Sequence, residues 1–264
     1  MFTAEHEVKI LKRTQRFIGC AIISLFSTAS CAPQSEVHQS VASECGDDAL
    51  GVHRVQSLIP GQALRLEQLN EYEVVLTFDD GPDGRNTRNV LDLLANSCTQ
   101  ATFFLRGDSS ARDPELVRQI VRQGHTVGGH SWAHADLSNL ELADAKSDIE
   151  RGMEAINGAL SSLDGAPQTR FFRFPFIRMT PDLLAYLAEE GLIEVGVSAD
   201  GADWENRPPE DIVAQIMDRI EASENRGIIL LHDTSNRSIR ATDQLLIALK
   251  QGGYKIVALS ADQS

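Results

Sequence analysis

Cysteine and tryptophan are scarce in this chain, four and two in 264 residues. Cys20 and Cys31 fall near the N-terminus, which leaves Cys45 and Cys98 for the rest. Two thiols cannot build a closed four-thiolate zinc site. They also cannot replace a hydrophobic core with a disulfide scaffold. Positive charge is short as well: 24 Lys and Arg stand against 38 Asp and Glu, a net charge of -14. Such a chain repels phosphate backbones, so nucleic acid is excluded as a partner. A polyanionic sugar would need a locally positive cleft, and a neutral or amine-bearing substrate fits better. No apolar run is long enough for a confident transmembrane helix, and no internal repeat is visible.

What is there begins at the N-terminus. Lys9, Lys12, Arg13 and Arg16 precede the apolar run FIGCAIISLF, Phe17 to Phe26, and the small residues STASCA follow. A basic region, a short apolar stretch and a small-residue cleavage site mark an export signal over residues 1–30. Cleavage at Ala29 would release a soluble periplasmic or extracellular protein. Cleavage before Cys31 would leave a lipid anchor, the sole route to a membrane, but Thr28 is a poor match to the usual aliphatic residue upstream. In an oxidising compartment Cys45 and Cys98 are expected to pair, with two buried thiols as the alternative.

Residues 31–71 are weakly patterned and broken by Gly46, Gly51, Pro60 and Gly61, which reads as a leader segment on the domain surface. From Glu73 the pattern is regular. EVVLTF, ATFFL, HTVGG, RFFRF, LIEVGVS, GIILL and YKIVAL read as strands. Between them, helices are expected over NTRNVLDLLANS capped by Asn86, from Asp113-Pro114 to Gly124, over 139–163, from Thr180-Pro181 to Gly191, over 209–224 and over 240–250. About seven strands alternating with helices predict an α/β fold with a mostly parallel sheet. A distorted β/α barrel explains the count better than an open sheet.

The chemistry-bearing residues sit at the ends of these strands. TFDDG places Asp79 and Asp80 side by side, where their repulsion calls for a nearby positive group. HSWAH places His130 and His134 four apart, on one face of an expected helical turn, so that both can reach one metal ion. A third ligand from Asp79 or Asp80 would leave positions open for water and substrate, the arrangement of a catalytic site. Arg173 in RFPF can neutralise a carboxylate. Asp200 and Asp203 in DGADW and His232 in LLHD follow the next strands. In a parallel β/α architecture those C-terminal ends share one rim.

Taken together, TFDDG, HSWAH, RFPF, DGADW and LLH resemble the five ordered motifs of the polysaccharide deacetylases of carbohydrate esterase family 4, the NodB-homology domain. The resemblance covers roughly residues 72–259, placing such a domain at 72–260. It implies a NodB-like distorted barrel that removes acetyl groups from sugars, a hydrolase of linear amides acting on an N-acetylglucosamine-containing polymer. It also implies roles: Asp79 as the base, Asp80, His130 and His134 as ligands to a divalent metal, and Arg173 as the group that holds Asp79. The metal is expected to be zinc, with cobalt or nickel as alternatives. The backbone at Phe176 after Pro175 would hold an oxyanion, Asp203 would tune His232 as general acid, and Trp204 and Leu230 would line the pocket. Phe176 departs from the family, where tyrosine is common. A monomer acting on acetylated carbohydrate is expected. The alternatives are an O-acetyl esterase on a xylan-like polymer and a non-catalytic sugar-binding protein.

Overall fold

The computed structural model describes residues 50–165 and 168–261. The expected export signal, Cys31 and Cys45 lie outside the described residues. In chain order the described elements begin with β1 (Arg54–Leu58), β2 (Ala63–Leu64), β3 (Glu73–Asp79), α1 (Gly84–Asn96), β4 (Thr102–Leu105), α2 (Gly107–Arg112), α3 (Pro114–Arg122) and β5 (Thr126–Gly129). They continue with α4 (Leu142–Leu160), β6 (Phe171–Phe172), α5 (Pro181–Glu189), β7 (Ile193–Val195), β8 (Ala199–Asp200), α6 (Pro209–Ala222), β9 (Gly227–His232), α7 (Asn236–Gln251) and β10 (Lys255–Ala261).

Every strand pairing is parallel. The main path runs β8-β9-β3-β4-β5-β6-β7-β2, and β10 joins the N-terminal end of β3 with β1 on its far side. Strands β7 and β8 follow each other in the chain yet pair at opposite ends of this path, so the ladder stays open between them. The sheet nevertheless rolls up. Arg173, just past β6, touches Thr77 and Asp79 on β3. In a flat sheet three strand spacings would separate them by about 14 Å. The result is a distorted β/α barrel.

The two faces of each strand explain the packing. Leu76 and Phe78 of β3, and Ile229 and Leu231 of β9, point outward to the helices. There they meet the stripes of α1 (Val90, Leu91, Leu94) and α6 (Ile212, Ile216, Ile220), spaced by three or four residues. Full burial of each such side chain is worth roughly 1.5–3 kcal/mol. The alternate residues Val75 and Ile228 point into the barrel, with Leu58, Phe104, Phe171, Ile193 and Val257. Asp113 and Thr180 cap α3 and α5 as expected, accepting hydrogen bonds from Leu116 N and Leu183 N.

The structure departs from the sequence expectations at several points. Residues 54–58 and 63–64 of the expected surface leader are strands of the sheet, because Leu58, Leu64 and Leu69 bury in the barrel interior. With these and the short β8 at Ala199–Asp200, the described strands number ten instead of about seven. LIEVGVS keeps strand only at Ile193–Val195, where the Val195 and Gly196 carbonyls turn to the Arg173 guanidinium, and a separate short strand, β8, follows it at Ala199–Asp200. RFFRF keeps ladder pairing only at Phe171–Phe172. The helix expected over 139–163 is α4, preceded by a separate 3-10 turn at Leu137–Asn139. Asn86 does not cap α1, which starts at Gly84; its amide donates to Asp83 and to the Thr234 carbonyl. Cys98 is disulfide-bonded; its expected partner Cys45 lies outside the described residues.

Candidate metal centre and active site

Strand register sets the site. Asp79, the last residue of β3, stands level with His232, the last residue of β9, and Thr77 stands level with Leu230. Their side chains therefore emerge at one rim, which Gly129-His130 at the end of β5 and Arg173 after β6 complete.

Arg173 lies in the barrel throat, fully buried. Its Nη1 donates to Asp79 Oδ1 at 2.8 Å and to Thr77 Oγ1 at 2.6 Å. Its Nε and Nη2 donate to the Val195 and Gly196 carbonyls, each at 2.9 Å. The guanidinium lies over the Phe104 ring, 4.2 Å from its centroid. Four acceptors and an aromatic face satisfy this cation in place of water. The other Asp79 oxygen is left facing His130 Nε2 at 3.8 Å.

Asp80 adopts a left-handed backbone, φ 75°, which turns its carboxylate toward the histidines. Its Oδ1 lies 3.7 Å from His130 Nε2 and 3.4 Å from His134 Nε2, buried and without a hydrogen-bond partner. A buried carboxylate oxygen facing two ring nitrogens and bonded to neither suits a shared cation. Tetrahedral coordination with bonds of about 2.1 Å separates ligand atoms by about 3.4 Å, close to these spacings. The three ligand atoms lie within 4.8 Å of one another. One carboxylate oxygen and two imidazole nitrogens suit zinc-like divalent ions.

The histidines are prepared for this. His130 Nδ1 lies 2.8 Å from the Arg173 carbonyl. An N–H there fixes the tautomer and leaves the Nε2 lone pair toward Asp80. Burial pushes the His130 pKa down more than Asp79 and Asp80 raise it, which favours the neutral form that a metal ligand requires. The HSWAH segment is a turn and not the expected helical one: Ser131 and His134 have φ of 63° and 61°. Ser131 Oγ accepts the His134 N–H at 2.9 Å. Trp132 anchors the turn, its N–H on Asp148 and its ring under Arg151.

On the opposite side stands His232, its Nε2 3.9 Å from Asp80 Oδ2. Buried Asp203 binds it twice, through His232 Nδ1 at 2.7 Å and the His232 main-chain N–H at 2.9 Å. Burial alone pulls the imidazole down. The Asp203 hydrogen bond and charge, with Asp79 and Asp80 beyond, outweigh it and hold the pKa up at about 9.

The remaining expected residues fall at the rim. Phe176, φ 57°, sits in the Pro175–Ile177 turn with its ring edge-on to His134 at 4.5 Å. It is 56% exposed and Trp204 is 65% exposed, large apolar faces open to a ligand. Leu230 and Pro175 are buried beneath. Asp200 stays apart, its carboxylate accepting the Ala202 N–H and closing its own loop. Sequence reasoning gave no role to Thr77, Ser131 or Asp233. Thr77 was findable: it shares the inward face of β3 with Asp79, a polar residue at an otherwise apolar position.

A parallel β/α barrel with an Asp-His-His cluster and a buried Asp-Arg pair at its C-terminal rim defines a hydrolase-type metal centre. The chain matches the polysaccharide deacetylase family over residues 67–219 and belongs to that family. It is 35% identical over 199 residues to a chitooligosaccharide deacetylase of Bradyrhizobium, covering 69% of this chain and 87% of that protein. It is 32% identical over 196 residues to a peptidoglycan-N-acetylglucosamine deacetylase of Bacillus cereus, covering 72% and 88%. Among solved structures, the peptidoglycan deacetylase Bd3279 of Bdellovibrio bacteriovorus superposes with a TM-score of 0.67 at 30% identity, over 83% of this chain and 58% of that one.

Proposed function

We propose that this protein is an exported, zinc-dependent deacetylase that removes the acetyl group from N-acetylglucosamine units of a polysaccharide or oligosaccharide. The observation that carries the reading is the unpartnered Asp80 Oδ1 facing two imidazole nitrogens, with the Arg173-held Asp79 beside it. Family membership and the names of the relatives support the substrate class. The basic, apolar and small-residue order of residues 1–30 supports export.

Asp80, His130 and His134 would hold the metal. When bound, such an ion polarises an acyl oxygen and lowers the pKa of water. Asp79 acts as the base: Arg173 occupies one of its oxygens, and the other faces the centre to take a proton from attacking water. The main-chain N–H of Phe176 donates to the developing oxyanion, a contact whose loss typically costs roughly 3–4 kcal/mol. His232 donates a proton to the leaving amine, because an amide nitrogen departs poorly unless protonated. Asp203 keeps that proton on His232 at neutral pH. Trp204 and Phe176 offer faces for the sugar, and Leu230 lines the space for the acetyl methyl. The catalytic domain spans residues 72–260, with β1 and β2 completing its sheet.

The test is acetate release by purified, zinc-reconstituted protein from N-acetylglucosamine oligomers, peptidoglycan and O-acetylated xylan in parallel. Release from the N-acetylated substrates is expected. Release from xylan alone would replace the amidase reading with an esterase one.

A further inference from the structure

Asp80 presents a puzzle of placement. Its Oδ1 has no hydrogen-bond partner, and its Oδ2 lies 3.9 Å from His232 Nε2, beyond hydrogen-bond reach. The carboxylate is therefore aimed by its backbone, which sits in the left-handed region costly for a non-glycine residue. Something must fix residues 80–83 firmly enough to impose that conformation.

Two groups outside the site do so. Asp233, fully buried one residue past His232, packs its carboxylate directly against Gly81. A Cβ on Gly81 would lie 2.5 and 2.7 Å from its two oxygens, so only glycine allows the approach. Thr87, fully buried in the first turn of α1, donates its hydroxyl to Asp233 Oδ2 and accepts the Asp83 N–H at 2.7 Å. Main chain at Asp83, Thr87 and Asp233 thus form one relay closing over the turn. The Arg106 N–H, donating to the Gly81 carbonyl at 2.9 Å, closes the other side.

We infer that Thr87 and Asp233 are positioning residues for the metal: they clasp the Asp80–Asp83 turn to the end of β9 and so aim the Asp80 carboxylate. This rests on the reading of Asp80 as a metal ligand. The clasp also joins the strand that bears His232 to the turn that bears Asp79 and Asp80, so the acid and metal sides of the site share one support.

The experiment is zinc affinity by chelator competition, with melting temperature and acetate release read on the same preparations. Thr87→Val keeps the shape and removes the hydroxyl; its zinc affinity should fall about 10-fold, the low end for such outer partners. Thr87→Ser, which keeps the hydroxyl, should stay within about 2-fold of wild type. Gly81→Ala, which drives a methyl into the Asp233 carboxylate, should weaken zinc similarly and serves if Thr87→Val does not fold. Wild-type zinc affinity in Thr87→Val, or in Gly81→Ala in its place, overturns the clasp, even if the melting temperature falls. Wild-type protein that binds zinc but releases no acetate would sink the substrate reading, while the zinc affinities still decide the clasp. Wild-type protein that binds no zinc overturns both.

Discussion

Arg173 and Asp79 form a buried ion pair at 2.8 Å, and the same guanidinium donates to three further oxygens across the barrel throat. The pair is structural and chemical at once. Removing the cation would strand a buried carboxylate, a loss of roughly 3–5 kcal/mol in comparable cases. Lysine carries the charge but lacks the planar fork needed to reach all four acceptors. Arg173→Lys is therefore expected to lower the urea midpoint and to cut acetate release by about 100-fold, as small misplacements of a reacting group do. Wild-type turnover in a correctly folded Arg173→Lys preparation would show that Asp79 needs no such support.

Metal retention should depend on His130. Its Nε2 faces Asp80 while Nδ1 is engaged by the Arg173 carbonyl. His130→Ala removes one of the three proposed ligands and is expected to lose most bound metal by elemental analysis, with turnover falling in step. Full metal content in that variant would contradict the ligand set.

The pH profile should report His232. Its pKa is held up at about 9 despite burial, chiefly by the Asp203 hydrogen bond and charge. In the proposed role of general acid His232 works while protonated, so kcat/KM is expected to fall as pH rises through that region. Asp203→Asn removes the charge and should move the alkaline limb down by about 1–3 pH units. An unmoved limb would remove Asp203 from its tuning role.

Stability should fall on mild acidification. Burial pushes His125 down to about 4, against 6.5 for the free side chain. Between those values the unfolded chain binds a proton that the folded chain refuses. The contribution is full above pH 6.5 and is lost as pH falls toward 4. At pH 5 the loss is about 1–2 kcal/mol. Urea midpoints at pH 7 and pH 5 should drop less for His125→Phe than for wild type. Equal drops would place the acid sensitivity elsewhere.

Much of the site was legible because strand ends carry it. TFDDG, HSWAH, RFPF, DGADW and LLH each lie where a parallel strand stops, and the fold brings those ends together. Local conformation was less legible. Four-residue spacing suggested a helical turn for His130 and His134, but two left-handed residues make the turn, and no periodicity announces such residues. The end of β7 at Val195 was hidden because the contact made there, the Arg173 guanidinium on the Val195 and Gly196 carbonyls, joins residues distant in sequence. Residues 54–64 read as a surface leader because so few of their side chains are apolar and inward, whereas pairing with β10 and β7 depends on partners far along the chain.

The central claim divides two adjacent carboxylates: Asp80 belongs to the metal and Asp79 to the water. The most direct test is Asp79→Asn, assayed for zinc content and acetate release on one preparation. The account predicts zinc near the wild-type level with turnover reduced to background. Substantial acetate release, or loss of zinc equal to that of His130→Ala, would contradict it.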